Sequence, residues 1–117
     1  MNALVSIITP SYNSAKFIAE TIQSVQNQTY QNWEMIIVDD GSSDDTENVV
    51  LSILQNDNRI QFHKLSQNSG PAVARNTGIE KASGDYMTFI DADDIWFPTF
   101  IENNIKTIQE TGIPFVF

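Results

Sequence analysis

Three carboxylates stand close together after an apolar run, where Asp91, Asp93 and Asp94 follow residues 86–90 in the stretch YMTFIDADD. Carboxylates at this spacing disfavour one another's ionised form, and the chain already has a formal net charge of -9. The sequence places no Lys or Arg beside them. Hard divalent cations such as Mg²⁺ and Mn²⁺ prefer carboxylate oxygens and are often shared with substrate phosphates. The stretch therefore predicts a divalent-cation site that serves an anionic ligand.

A second acidic pair, Asp39 and Asp40, follows the apolar residues 34–38 (EMIIV). Acidic residues after a strand are commonly turn formers, so a structural role and a ligand-binding role stay equally open for this pair. For two further side chains a structural role and a ligand-binding role also both stay open. Arg75 either meets a phosphate or pairs with one of the acids, and Tyr12 either stacks on a base or packs against the protein.

The elements that must position these residues alternate regularly along the chain. Short apolar runs predict strands at residues 4–9, 34–38, 60–65, 86–90 and 113–117. Apolar residues at helical spacing predict a helix between each pair of strands. The predicted helices start at Asn13 or Ser14, at residue 44 behind the candidate caps Ser42 and Ser43, at Gly70-Pro71 and at Pro98.

The order β-α-β-α-β-α-β-α-β predicts an α/β fold with an open, mostly parallel sheet and helices on both faces. In such sheets ligands bind beyond the carboxyl ends of the strands, near the topological switch point. Residues 10–13, 39–42 and 91–94 follow the first, second and fourth strands, so we expect them at one edge. Glu34 and Asp85 stand at strand entrances on the opposite edge, where we expect solvated structural charges.

Composition and length exclude several classes of protein. The 117 residues suit a single domain, and the absence of cysteine excludes disulfides and thiolate metal sites. With Lys+Arg 6 against Asp+Glu 15, the chain lacks the basic surface that nucleic-acid backbones require. The longest apolar runs fall far short of the ~20 residues that span a bilayer, so we expect no integral membrane segment.

Four motifs together carry a family resemblance: SIITPSYN, WEMIIVDDGSSDDT, NSGPAVARNTGI and GDYMTFIDADD. Their order and spacing resemble the start of a family 2 glycosyltransferase, over Val5 to about Pro98. The resemblance implies the Rossmann-like nucleotide-binding half of a glycosyltransferase A fold. It also implies transfer of a hexosyl or N-acetylhexosaminyl group from a nucleoside diphosphate sugar, usually a UDP-sugar, to a hydroxyl acceptor.

The resemblance assigns the base and ribose of the donor to the residues after the first two strands. Pro10 and Tyr12 would line that pocket, and Tyr12 would offer a face for stacking. Asp40 would accept a hydrogen bond from the imide N–H of the base, which distinguishes uracil from cytosine. Asp39 would lie beside it as a further donor-binding residue.

The resemblance assigns the diphosphate and its cation to the remaining motifs. Gly70 and Arg75 would lie near the donor diphosphate. Asp91 would face the ribose or the metal, and Asp93 would hold the Mn²⁺ or Mg²⁺ that bridges the diphosphate. The motif does not define a role for Asp94.

The family also places its acceptor site and catalytic base, usually Asp or Glu, after the D-x-D strand. Neither Glu102 nor Glu110 stands where that base is expected, so the resemblance places it beyond Phe117. Residues 1–117 are then expected to be the donor-binding portion of a longer enzyme, truncated at the C-terminal end. The alternative to a transferase is that this portion binds the donor while transferring nothing. Residues 113–117 would leave an exposed strand edge, which favours self-association. A saccharide or lipid-linked acceptor and a cytoplasmic location, peripheral at the inner membrane face, would be typical.

A phosphoacceptor receiver module of the flavodoxin-like type is the alternative from another class. It has nearly this length, the same alternation and an acidic pocket at the strand ends. That module requires an acid pair after the first strand and a single Asp after the third. Here TPSYN and Ser66-Gln67-Asn68 stand at those places, so the sequence disfavours it.

Overall fold

The computed structural model describes residues 2–112, in which four strands alternate with four helices. The predicted strand at residues 113–117 lies outside the described part of the chain. The strands are β1 (Val5–Ser11), β2 (Trp33–Asp39), β3 (Ile60–Lys64) and β4 (Tyr86–Phe89). The helices are α1 (Ile18–Gln26), α2 (Thr46–Leu54), α3 (Pro71–Lys81) and α4 (Phe100–Thr111). The described helices include none that is both long and apolar enough to cross a membrane.

The four strands form one parallel sheet in the order β3-β2-β1-β4. The chain moves outwards from β1 to β3 and then returns to pair β4 with the other side of β1. The strand order therefore reverses beside β1, and ligands of open parallel sheets bind at the carboxyl ends of the strands flanking such a point. The predicted α/β fold with a parallel sheet is confirmed.

Helices cover both faces of the sheet. The larger core lies on one face, where Ile7 and Ile37 of the sheet belong to the same buried cluster as Ile22 of α1 and Ile101 of α4. A smaller cluster on the other face joins β2 to Ala74 of α3. Since helix α3 contacts both β1 and β2, it forms one wall of any cavity at this end of the sheet.

Two strands extend further than the apolar runs predict. Pro10 and Ser11 continue β1 and pair with Val38 and Asp39 of β2. Beyond this pair, the Ser11 carbonyl accepts the Asp40 backbone N–H at 2.8 Å. The extension brings the first polar residues of both loops into a fixed register.

The predicted helix caps after β1 and β2 are wrong. Asn13 has a φ of 47°, in the left-handed region, and α1 begins only at Ile18. Helix α2 begins at Thr46, where the Asp44 carboxylate accepts the Thr46 backbone N–H at 3.1 Å. The Ser42 hydroxyl instead donates to Asp39 Oδ1 at 2.6 Å. The caps were mispredicted because Asn13 and Ser42 hydrogen-bond within and between the loops after β1 and β2 rather than to the first turn of the next helix.

The opposite edge of the sheet also differs from expectation at one position. Glu34 is half-buried and accepts hydrogen bonds from the Ser6 hydroxyl at 2.6 Å and the Ser83 backbone N–H at 2.7 Å. Burial acts to raise the pKa of Glu34, but these hydrogen bonds hold it below its ordinary value. The prediction of a solvated charge is wrong for Glu34. Asp85 is exposed and accepts the Leu4 backbone N–H at 3.0 Å.

Candidate functional site

A cavity of about 330 Å³ opens at the carboxyl ends of the strands, beside the start of α3. Five of the residues selected from the sequence line it: Pro10, Tyr12, Asp40, Gly70 and Asp91. Pro10 lies near the end of β1, and the others lie in the loops after β1, β2, β3 and β4. The structure therefore brings together residues that stand up to 81 positions apart in the chain, because parallel strands end at one edge of the sheet.

The alternation of side chains along the strands explains which acids face this cavity. Pro10 follows Ile8 by two positions, so both lie on the face that α3 covers, where Ile8 meets Gly78. Asp40 lies two positions after Val38, which packs with Ala74 of α3 on that face. Asp91 follows Phe89, which pairs with Ile8, and extends the same alternation.

Asp40 connects the cavity to the loop that precedes α3. Its Oδ1 accepts the Ser69 backbone N–H at 2.7 Å, and its Oδ2 accepts the Gly70 backbone N–H at 2.9 Å. Gly70 has a φ of 97°, a conformation that side-chain-bearing residues rarely adopt. A carboxylate has about four acceptor positions, so Asp40 retains acceptor capacity towards the cavity.

Asp39 points to the opposite side of the sheet because it is the neighbour of Asp40 at the end of β2. Its carboxylate is fully buried and accepts the Ser11 hydroxyl at 2.9 Å, together with the Ser42 hydroxyl and backbone N–H. Asp39 does not line the cavity. In the structure it ties the end of β1 to the turn after β2, and its direct donor contact stays a prediction.

Tyr12 lies at the rim of the cavity with about half of its surface exposed (51%). The next residue, Asn13, fixes the loop, because its side-chain oxygen accepts the Ser43 backbone N–H at 2.8 Å. The Ser42 hydroxyl accepts the Asn13 backbone N–H at 2.8 Å. An exposed ring on an anchored loop is available for stacking on a flat ligand.

The three acids after β4 form an exposed cluster next to the cavity. One carboxylate oxygen from each of Asp91, Asp93 and Asp94 lies within 4.8 Å of the others. A turn holds them together, since the Asp94 backbone N–H donates to the Asp91 carbonyl at 3.0 Å. Within residues 2–112 these carboxylates accept no hydrogen bond and form no ion pair. Oxygen donors that converge without a partner fit a hard divalent cation.

Asp91 belongs to both the cavity and the acidic cluster. A ligand in the cavity would therefore lie against one member of a set of cation-binding oxygens. Asp93 contributes to the cluster but does not line the cavity. Asp94, whose role the motif leaves open, is the third member of that cluster.

Arg75 is exposed on the first half of α3 and does not line the cavity, although the preceding residue, Ala74, does. Within the described residues its guanidinium forms no ion pair and no hydrogen bond. The alternative in which Arg75 pairs with one of the acids is therefore absent from the described structure.

Three further residues of the cavity wall were missed in the sequence: Asn68, Pro71 and Ala74. A fourth, Ser11, was expected at this edge as one of residues 10–13 but was given no role of its own. Asn68 belongs to the loop that Asp40 holds, and its backbone approaches Gly41 so closely that an added Cβ there would lie 3.2 Å from the Asn68 nitrogen. A useful signal was present in the run NSGPAVARNTGI, which contains Asn68, Pro71 and Ala74. Their types alone do not point to a ligand.

Comparison with known proteins shows the family to which the chain belongs. The sequence model of "Glycosyl transferase family 2" matches residues 6–116. The chain belongs to glycosyl transferase family 2. It is 44% identical over 114 residues to the "Putative teichuronic acid biosynthesis glycosyltransferase TuaG" of Bacillus subtilis, covering 97% of this chain and 45% of that protein. This membership removes the receiver module as an explanation of the acidic pocket.

A second relative is the "UDP-Glc:alpha-D-GlcNAc-diphosphoundecaprenol beta-1,3-glucosyltransferase WfgD" of Escherichia coli. It is 43% identical over 114 residues, covering 97% of this chain and 44% of that protein. This family 2 chain therefore spans less than half the length of these two relatives.

Solved structures support the same assignment of the fold. S. aureus TarS 1-349 in complex with UDP-GlcNAc is similar with a TM-score of 0.85 and 31% identity, over 91% of this chain and 31% of that one. The mannosyltransferase PcManGT from Pyrobaculum calidifontis, in complex with GDP-Man and Mn²⁺, gives a TM-score of 0.85 at 27% identity, over 91% and 32% of the two chains. The fold of this family 2 chain is that of glycosyltransferase A enzymes.

Proposed function

We propose that this chain binds the donor of a glycosyltransferase, a UDP-sugar held together with Mn²⁺ or Mg²⁺. The observation that carries the proposal is the position of Asp91, which lines the cavity and also belongs to the acidic cluster. The chain has few cationic side chains to offer an anionic diphosphate, since Lys+Arg 6 stand against Asp+Glu 15. A shared cation satisfies both partners, because it neutralises the carboxylates and the phosphates together.

The base and ribose fit the cavity by size and by chemistry. A volume of about 330 Å³ is within the range of small-molecule pockets. Tyr12 provides a ring face at the rim, Pro10 provides an apolar wall, and Asp40 provides a buried acceptor for the imide N–H of uracil. TarS, which has been solved with UDP and with UDP-GlcNAc, supports a uridine nucleotide as the ligand.

The diphosphate would lie between the start of α3 and the acidic cluster. Asp91 and Asp93 would hold the cation. Arg75 and the backbone N–H groups of the first turn of α3, which follows Gly70, would face the phosphate oxygens. When bound, the cation would stabilise negative charge on the departing diphosphate. PcManGT, solved with GDP-Man and Mn²⁺, supports a divalent ion that is bound together with a nucleotide sugar.

The proposal for the acceptor rests on the names of the relatives alone. TuaG is named for teichuronic acid biosynthesis and WfgD for transfer of glucose to a diphosphoundecaprenol-linked sugar. We therefore propose a saccharide or lipid-linked acceptor, a role in polysaccharide biosynthesis and work at the cytoplasmic face of the membrane. No described residue is assigned as the catalytic base.

Calorimetric titration of UDP with and without Mn²⁺ tests the donor site. We expect Mn²⁺ to strengthen UDP binding to the wild type, and Asp93→Ala to lose that gain while keeping the metal-free affinity. Asp45→Ala is the matched control, since it removes an exposed carboxylate that lies outside the cluster. If the wild type binds UDP equally well with and without Mn²⁺, the proposal that a cation links the carboxylates to the diphosphate is overturned.

A donor-binding portion without transfer activity is the second candidate, and the coverage of less than half of the relatives' length favours it. Release of UDP from UDP-glucose and UDP-GlcNAc distinguishes the two. Binding without release, in the presence of Mn²⁺ and a saccharide acceptor, is the result expected of a binding portion. Release that Asp93→Ala abolishes would show that residues 1–117 are catalytically competent.

A further inference from the structure

A row of buried polar side chains interrupts the apolar core face around α1. Thr21 and Ser24 lie in the helix and Gln28 lies just after it, and their exposed fractions are 0%, 7% and 1%. Buried polar groups cost free energy unless they are hydrogen-bonded. The hydrogen-bond partners of these three side chains therefore show which part of the structure they hold in place.

All three side chains bond to the backbone of a single segment, residues 92–101. The Thr21 hydroxyl donates to the Ala92 carbonyl at 2.9 Å, and the Ser24 hydroxyl accepts the Trp96 backbone N–H at 3.2 Å. Gln28 donates to the Phe97 carbonyl at 2.7 Å and accepts the Ile101 backbone N–H at 3.0 Å. Helix α1 thus holds the chain that leaves the acidic cluster.

The first of these bonds acts inside the cluster itself, because Ala92 stands between Asp91 and Asp93. The Ala92 methyl is buried in the core at 7% exposure. On one side of it, the Ile90 backbone N–H donates to the Ile8 carbonyl at 3.2 Å. Thr21 is the one side chain within residues 2–112 that hydrogen-bonds the backbone of residues 91–94.

We propose that Thr21 is a positioning residue that sets the affinity of the acidic cluster for a divalent cation, an inference that rests on the proposed function. The three carboxylates have no protein partner among the described residues, so their separation depends on the backbone that carries them. Without the Thr21 hydroxyl, the Ala92 carbonyl is buried with no donor, and the peptide between Asp91 and Asp93 turns towards water. Mutual repulsion of the acids then spreads their oxygens apart.

The base pocket does not depend on this bond. Asp40 and its two backbone partners, Ser69 and Gly70, belong to the loops after β2 and β3. Of the residues that line the cavity, Asp91 is the one that belongs to the cluster. Loss of the Thr21 hydroxyl therefore weakens cation binding far more than the metal-free affinity for uridine. A general loss of folding would weaken both affinities.

Electron paramagnetic resonance of free Mn²⁺, titrated with the chain in the presence of UDP, measures the effect. Thr21→Val removes the hydroxyl at constant shape, and we expect about tenfold weaker Mn²⁺ binding, as is typical for loss of an outer-shell partner. Thr21→Ser keeps the donor and restores wild-type affinity. Thr88→Val is the matched control: Thr88 is equally buried, and its hydroxyl has no partner in the described structure.

The same titration with Asp93→Ala distinguishes this inference from the proposed function. If Asp93→Ala loses Mn²⁺ while Thr21→Val binds it like the wild type, the Thr21 role is overturned and the metal site stands. A wild type that binds no Mn²⁺ overturns both. If Thr21→Val does not fold, Thr21→Ala removes the same hydroxyl donor. Wild-type Mn²⁺ affinity in folded Thr21→Ala would overturn the inference, and weakened Mn²⁺ affinity that Thr21→Ser does not share would support it.

Discussion

Asp40 and Gly70 lie on different loops, and the Asp40 carboxylate Oδ2 accepts the Gly70 backbone N–H at 2.9 Å. The other oxygen, Oδ1, accepts the backbone N–H of the preceding residue, Ser69, at 2.7 Å. The carboxylate therefore fixes the start of α3 while it lines the cavity. Base recognition and loop position are coupled through one side chain, and a substitution at Asp40 tests both.

We expect Asp40→Asn to weaken UDP binding by about ten- to a hundredfold, because hydrogen bonds to charged groups contribute about 1.5–3 kcal/mol. The amide nitrogen would face a backbone N–H, so one of the two loop contacts is lost. The loss should be larger for UDP than for CDP, since cytosine has no imide N–H to donate. Calorimetric titration of both nucleotides measures the difference, with Asp45→Asn as the control. Equal losses would leave Asp40 as a loop contact alone.

Arg75 gives a prediction about the diphosphate. Its exposed guanidinium has no acidic partner among residues 2–112 and lies on the first half of α3. We expect Arg75→Ala to weaken UDP but not uridine, by about tenfold, as loss of one charge-assisted hydrogen bond implies. The effect should decrease as salt is raised, because the side chain is exposed.

Lys81→Ala is the matched control for Arg75, since Lys81 is an exposed cation at the far end of the same helix. Its removal changes net charge equally but leaves the start of α3 intact. Equal losses of UDP affinity in both variants would indicate a long-range charge effect. Such a result would remove Arg75 from the diphosphate site.

Much of the fold could be predicted from the sequence because each element has a strong local signal. The apolar runs of β1 and β2 and the helical spacing of Ile18, Ile22 and Val25 are visible without a partner. Loop contacts have no such signal. Asn13 adopts a left-handed φ and hydrogen-bonds Ser42 and Ser43, which lie about 30 residues further along the chain.

The candidate site was predictable to the level of its motifs but not of its side-chain directions. Asp39 and Asp40 point to opposite faces because adjacent residues of a strand alternate, and of the two Asp40 lines the cavity. Which of them does so depends on the face that α3 covers, a tertiary fact. The contact of Thr21 could not be predicted from the sequence at all. Its partner is the backbone carbonyl of Ala92, 71 residues away, and every residue type has such a carbonyl.

Gly78 tests the packing that forms one wall of the cavity. It is buried in α3, and a Cβ added there would lie 2.5 Å from Ile8 Cγ2 in β1. Gly to Ala in a helix normally stabilises by about 1 kcal/mol, whereas overpacking a core costs about 1–3 kcal/mol. We expect the steric term to dominate, so Gly78→Ala should lower the free energy of unfolding in urea.

The control for Gly78 is Asn76→Ala on the same helix, where the side chain is exposed and only helix propensity changes. Asn76→Ala should be neutral or stabilising. A stabilised Gly78→Ala variant would mean that α3 does not approach β1 as closely as described. Nucleotide affinity should fall in Gly78→Ala, since displacement of α3 moves Ala74 and the start of the helix away from the cavity.

Glu34 gives a pH dependence at the opposite edge of the sheet. Burial raises its pKa, but hydrogen bonds from Ser6 and Ser83 outweigh burial and hold the pKa below its ordinary value of 4.5. A depressed pKa in the folded state means that the carboxylate contributes stability above pH 4.5 and loses it as the pH falls through the folded pKa. Urea unfolding of the wild type and Glu34→Gln should therefore differ most at neutral pH and converge in acid. Glu80→Gln, at an exposed carboxylate with no hydrogen bond in the described residues, is the control substitution. A Glu34→Gln difference that is constant with pH would contradict the role of its charge.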